Sequence, residues 1–408
     1  MGITNFRISM GTKILLIILI VLLVIAAIVV ISKNKKNEKN EKDVAYIVSG
    51  SDNKNLSFIN TNQNGNIEEE IFYEYYEKAE ELIKSMSLEE KVGQMFLASY
   101  EESDAIKETK EQAPGGYILV DKDFQNKTKE SMLNELTKVQ EESKVNLLLA
   151  VSEEGGTAVQ VSRHTQYRNT RFLSPQTLWG QGQLVTILND SIEKSALLKS
   201  IGINMNLAPV ADIPTNYLDY MYARSYGRGT DRTAIYISEL VKTMNESEMV
   251  STMKHFPGYG NNPETKEDII VDNRSYETFK TSEFLPFESG IEARGPSILV
   301  CHNLVKSIDE EMPSSLSKKT NQILREELYF SGLVISENIS MKALEEYAKN
   351  GEVAVFAVLA GNDMIISSNF KEDKEQIVKA IKEKRIEESV INTAVRRILA
   401  CKYAYGII

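Results

Sequence analysis

Short, almost wholly apolar runs alternate along most of the chain with longer stretches whose apolar positions recur every three or four residues. The runs are Val92–Ala98, Tyr117–Val120, Leu147–Val151, Ile203–Pro209, Met249–Met253, Ser297–Cys301, Leu333–Ile335 and Met364–Ile366, each rich in Val, Ile, Leu or Met. The stretches between them, such as Lys127–Ser143, Ile192–Ser200, Thr233–Asn245, Phe279–Glu292 and Lys318–Leu328, read as amphipathic helices. Strand-length runs alternating with helical ones predict βαβ units and a parallel sheet. Eight such runs over roughly 320 residues predict an α/β fold, a (β/α)8 TIM-like barrel, with a doubly wound open sheet as the second choice. In a barrel, chemistry gathers on the loops after the strand C-termini. Polar segments fall there: Ser152–Thr157 after the third run, Lys254–Gly260 after the fifth, His302 after the sixth and Ser336–Ser340 after the seventh.

The N-terminus has a different texture. Ile14 to Ile31 is 18 apolar residues in succession, and at ~1.5 Å per residue such a helix nearly crosses a bilayer core. A cleaved signal peptide is the other reading, because Arg7 and Lys13 precede it. Its apolar core usually ends by about 15 residues near small side chains, whereas Ala26 and Ala27 are followed here by four more aliphatic residues. An uncleaved transmembrane anchor over 14–31 is therefore expected, after a short basic segment over 1–13. Residues 32–66 are rich in Lys, Asn, Ser and Glu, bury too little apolar surface to fold, and read as a polar disordered linker. Lysines after the anchor outnumber basic residues before it, which favours a cytoplasmic domain. Acidic residues interrupt those lysines, and the rule weakens for long domains, so the expectation is a single-pass cell-membrane protein with its globular part outside. That part spans 67–408, beginning with an amphipathic helix from Ile67 to Leu82 beside the barrel.

Composition narrows the picture little. The 408 residues carry 47 Lys plus Arg against 58 Asp plus Glu, a formal charge of −11, which argues against nucleic acid as a partner. Cys301 and Cys401 are the only cysteines and sit in apolar stretches, so buried free thiols are expected rather than a disulfide framework. His164, His255 and His302 offer no spacing for a metal, and no cofactor is implied. The Gly180–Gly182 triplet lacks the third glycine and preceding strand of a dinucleotide fingerprint.

The segment MKHFPGYGNN, Met253–Asn262, places Lys254 and His255 at a strand end before a Pro-Gly turn. Such a pair can hold a polyhydroxylated ligand, or merely cap a strand. Its companions point further. MSLEEKVGQMFLA, GGYILV, LLLAVSEEGG, GINMNLAPVADI, RSYG, KHFPGYG, GLVISENISM and AGNDMI follow one another from Met86 to Ile365. Together they resemble the catalytic barrel of family 3 glycoside hydrolases, in the bacterial β-N-acetylhexosaminidase branch, over about 85–408. The resemblance implies retaining hydrolysis of terminal β-linked N-acetylhexosamine from a glycan or muropeptide. That reaction takes one carboxylate as nucleophile and one proton donor.

It also implies positions. The nucleophile, an Asp in the family, falls on Glu337; the Asp-x-His acid/base dyad falls on Glu264 and Lys266. A sugar-binding Asp falls on Ser152 and an Arg on Thr157, whereas Glu154, Asp212, Arg224, Lys254 and His255 are retained. Lysine has an unperturbed pKa near 10.4 and shuttles protons poorly at neutral pH. Moving a carboxylate by an ångström costs ~10²-fold in rate. The scaffold motifs are intact while the chemical positions are not, so the expectation is impaired or lost hydrolysis. A non-catalytic sugar- or protein-binding descendant is the alternative, and a structural envelope protein a third reading. Oligomeric state is left open.

Overall fold

The computed structural model describes residues 69–214, 216–263 and 268–408. The expected anchor and linker, and the positions Glu264 and Lys266, lie outside the described residues. Among those residues no helix is long and apolar enough to cross a membrane.

Eight parallel strands close into a barrel. In chain order the strands are β1 (Phe96–Ser99), β2 (Gly116–Leu119), β3 (Leu148–Val151), β4 (Met205–Asn206), β5 (Val250–Phe256), β6 (Val271–Asp272), β7 (Ser297–Val300), β8 (Leu304–Val305), β9 (Leu333–Ser336) and β10 (Met364–Ser367). The barrel runs β1-β10-β9-β7-β5-β4-β3-β2, while β6 and β8 form a separate two-stranded pair. Closure is made by Phe96 opposite Ile365 on one side of β1 and Leu97 opposite Gly116 on the other. Barrel strands are covered on both faces, which is why they read as unbroken apolar runs rather than alternating ones; every residue of β3, β7, β9 and β10 is buried. The open-sheet alternative is thereby set aside.

Helix starts follow side-chain caps. Ser87 accepts from the Glu90 N–H while the Glu90 carboxylate accepts from the Ser87 N–H, a reciprocal capping box that opens helix Leu88–Gln94. This corrects the first expected strand: Val92 belongs to that helix, and pairing begins only at Phe96. Thr128 caps helix Lys129–Glu141, and Ser174 with Pro175 opens helix Pro175–Lys199 well before the expected Ile192. Gly180–Gly182 sits inside that helix, whose backbone breaks at Gly182 and Gln183. The N-terminal helix is shorter than expected, Tyr76–Lys84. The two cysteines are buried and free.

Two features bear on the site. First, β5 continues to Phe256, so Lys254 and His255 stand on the strand itself rather than on the loop after it. Phe256 is clamped between Phe284, stacked at 5.4 Å, and Phe287, edge-on at 5.2 Å, which fixes this strand end. Second, β6 pairs in parallel with β8, Val271 opposite Leu304 and Asp272 opposite Val305. That pair ties the returning limb of the loop after β5 to the segment just beyond β7.

Candidate active site

The network starts at β3. Its C-terminal end delivers Ser152, Glu153 and Glu154 within a turn that the Glu153 carboxylate organises. Glu153 accepts from the N–H groups of Gln160 and Val161 at 2.7 and 2.8 Å, and from Ser162 N–H at 3.1 Å. Nothing in the sequence distinguished this fully buried glutamate from its neighbour; its role is to hold the loop.

Glu154 lies at the centre of a buried ion cluster. Arg224 grips it with two bonds, Nε to Oε2 at 2.9 Å and Nη2 to Oε1 at 2.6 Å, and Lys254 Nζ reaches Oε1 at 2.6 Å. Burial alone would raise the Glu154 carboxyl, but the Lys254 and Arg224 charges outweigh it and hold the group at about 2. Burial pushes the Lys254 ammonium down from its ordinary range, against the opposing pull of Glu154. Lys254 also donates to Ser152 Oγ at 2.7 Å. Where the resemblance expects a second carboxylate, Ser152 supplies a neutral acceptor, so Glu154 is the anion in direct contact with both cations.

His255 extends the network. It donates from Nδ1 to Asp212 Oδ2 at 2.7 Å, and its Nε2 accepts from Arg224 Nη2 at 3.5 Å. Asp212 in turn accepts from the Tyr259 N–H at 2.7 Å, which pins the start of the loop after β5. Ser152, Glu154, Asp212, Arg224, Lys254 and His255, scattered over a hundred positions of sequence, therefore form one continuous hydrogen-bonded array at the strand C-termini. Thr157 is exposed and outside it.

Glu337 follows β9 directly, its own N–H bound to Val300 O at 3.0 Å. Its Oε2 accepts from the His302 N–H at 3.2 Å, and its side chain is half-buried. The His302 ring is fully engaged: Nε2 donates to Asn338 O at 3.0 Å, so Nδ1 accepts from Ser315 Oγ at 2.7 Å. Burial lowers the His302 pKa against the opposing Glu337 charge. This histidine orders the Glu337 loop and has no proton in position to give. Glu337 opens onto a cleft of about 1190 Å³ whose lining includes Asp268, His302, Asn338, Ser340, Glu345 and Glu346. The sequence reading missed Asp268.

Beneath the loop after β5 lies a second cluster. Arg274 binds Asp272 Oδ2 through Nη2 at 2.6 Å, Glu283 Oε1 through Nη1 at 2.5 Å and the Gly258 carbonyl at 2.6 Å. Asn262 joins through its Nδ2 to Asp272 at 2.8 Å. Burial raises the Glu283 carboxyl to about 7 despite the facing Arg274. Among the described residues, no group of three or more His, Cys, Asp or Glu side chains is arranged to hold a metal ion.

The sequence model described as glycosyl hydrolase family 3 N terminal domain matches residues 87–401. A beta-hexosaminidase of Nitrosomonas eutropha is 26% identical over 291 residues, covering 69% of this chain and 80% of that one. A beta-hexosaminidase of Methylococcus capsulatus is 26% identical over 270 residues, 66% of this chain and 80% of that one. Among solved structures, a glycoside hydrolase family 3 beta-N-acetylglucosaminidase from Paenibacillus sp. FPU-7 superposes with a TM-score of 0.73 at 27% identity, over 79% of this chain. This chain spans 63% of that protein's length.

Proposed function

The chain belongs to glycosyl hydrolase family 3, and on that premise we propose that it is a membrane-anchored relative of the β-N-acetylhexosaminidases whose hydrolysis of terminal β-linked N-acetylglucosamine is impaired or lost. The apolar segment 14–31 holds it to the cell membrane, the barrel stands on the outer side, and the substrate is an N-acetylhexosamine-containing glycan or muropeptide. The carrying observation is Glu337: a half-buried carboxylate at the end of the seventh barrel strand, oriented by a backbone N–H and open to a wide cleft.

In this reading Glu337 attacks the anomeric carbon and forms a glycosyl-enzyme intermediate, which water releases. Arg224, Lys254 and His255 bind sugar hydroxyls, with Asp212 fixing the His255 ring. Glu154 keeps the two cations charged and in place inside the barrel mouth. Impairment follows from Ser152, Thr157 and Lys266. The first two remove charged partners for the sugar, and the third places a poor proton donor where the family has a histidine. Glu264 is the other acid/base candidate that the family resemblance offers. The longer Glu337 side chain adds a displacement of the attacking oxygen.

The test is turnover of nitrophenyl β-N-acetylglucosaminide by the full chain in detergent, beside a Glu337→Gln variant. Slow hydrolysis that falls to background in the variant is expected. A wild-type rate no higher than that of Glu337→Gln removes residual hydrolysis and leaves the lost-activity form of this reading. The second reading, a non-catalytic binder, is favoured by the self-satisfied Ser152–Lys254–Glu154–Arg224 array. Calorimetry with N-acetylglucosamine and muropeptides then decides it, absence of heat counting against sugar binding.

A further inference from the structure

Hydrolysis through Glu337 needs a proton donor for the leaving oxygen, and His302 and His255 are poor candidates. His302 uses both ring nitrogens on Ser315 and Asn338. His255 donates its Nδ1–H to Asp212 and accepts a hydrogen bond from Arg224 at Nε2. Glu345 and Glu346 belong to the turn Lys342–Tyr347, on the same connection as Glu337 itself.

Asp268 is different. It is exposed, lines the Glu337 cleft, and among the described residues is the one carboxyl of the loop after β5 that does so. Its position is set by the residues that follow it. Ile269 packs against the main apolar core, and the Ile270 carbonyl accepts from the Leu304 N–H at 2.9 Å. Val271 and Asp272 then pair with β8, two residues beyond His302, whose backbone N–H holds Glu337. The parallel pair thus brings Asp268 and Glu337 to one cleft from two different connections of the barrel. Arg274 locks the same limb to Gly258 at the loop's start.

We propose that Asp268 is the acid/base of this site, delivered to the Glu337 cleft by the β6–β8 pair; this rests on the hydrolase reading above. The Asp268 carboxylic acid gives its proton to the glycosidic oxygen as the C1–O bond breaks and its electron pair passes to that oxygen, while a Glu337 oxygen bonds to C1. In the second half, water loses a proton to the Asp268 carboxylate and bonds C1, and the C1–Glu337 electron pair returns to Glu337. Carboxylic acids fill this role in most glycosidases, so a loop without the family's histidine retains a competent donor.

Leaving-group dependence tests this on the full chain in detergent, with dinitrophenyl and phenyl β-N-acetylglucosaminides. A good leaving group departs without protonation and a poor one does not. Asp268→Asn and Asp268→Ala should lower kcat/KM by ~10²–10⁴-fold on the phenyl substrate and by under about 10-fold on the dinitrophenyl substrate. Azide added to Asp268→Ala should restore turnover and yield the β-glycosyl azide, an outcome that a merely structural role would not give. Equal losses on both substrates, or none, overturn the assignment while Glu337-dependent hydrolysis stands. Wild type no faster than Glu337→Gln on the dinitrophenyl substrate overturns both.

Discussion

Glu154 shows how a single residue carries both stability and site order. Removing one anion from a buried cluster with two cations leaves uncompensated charge, which typically costs about 3–5 kcal/mol. Glu154→Gln should lose stability of that order in denaturant unfolding at neutral pH, and a loss within experimental error would mean the cluster is solvated. The pH dependence has a definite sign. The folded pKa of about 2 lies below the ordinary 4.5, so the stabilisation is complete above about pH 4.5 and is lost as the pH falls towards 2. Wild type should weaken across that acid window, and Glu154→Gln should lack this part of the slope. The position was legible in the SEEGG motif; its partners were not, because Arg224 and Lys254 lie 70 and 100 residues away and only barrel closure brings them together.

At the scale of elements, strand contacts leave little room. A Cβ on Gly116 would meet the Leu148 carbonyl oxygen at 2.0 Å and Leu148 Cβ at 2.8 Å, both belonging to the neighbouring strand. Gly116→Ala therefore has to push β2 away from β3, an overpacking expected to cost about 1–3 kcal/mol. Thermal unfolding should show a lowered midpoint, and an unchanged one would mean the strands adjust freely. The alternation of runs predicted these barrel strands, yet their edges shifted for local reasons. The Ser87–Glu90 capping box claims Val92 for a helix, and β4 shrinks to Met205–Asn206. β5 lengthens to Phe256, where two phenylalanine rings clamp its end. The β6–β8 pair was invisible in sequence: two residues of pairing leave no periodicity to read, and its consequence is the placement of Asp268.

For the molecule as a whole, the expected division is an anchor, a polar linker and one barrel. Full-length chain should stay with membranes through alkaline extraction, whereas a chain lacking residues 1–66 should be released; recovery of both in the soluble fraction would remove the anchor. The sequence by itself determined the barrel and its family, because eight buried parallel strands must read as apolar runs and the motifs between them follow a fixed order. It also raised the expectation of departures from the family pattern at Ser152, Thr157, Glu264, Lys266 and Glu337, since these are single positions within recognisable segments. Only the tertiary structure decided which polar groups meet. It joined Ser152, Glu154, Arg224 and Lys254 into one ion cluster, committed both His302 nitrogens to other partners, and set Asp268 beside the Glu337 cleft. Contacts of this kind depend on residues far apart in the chain being carried to one rim, and local pattern holds no record of that distance.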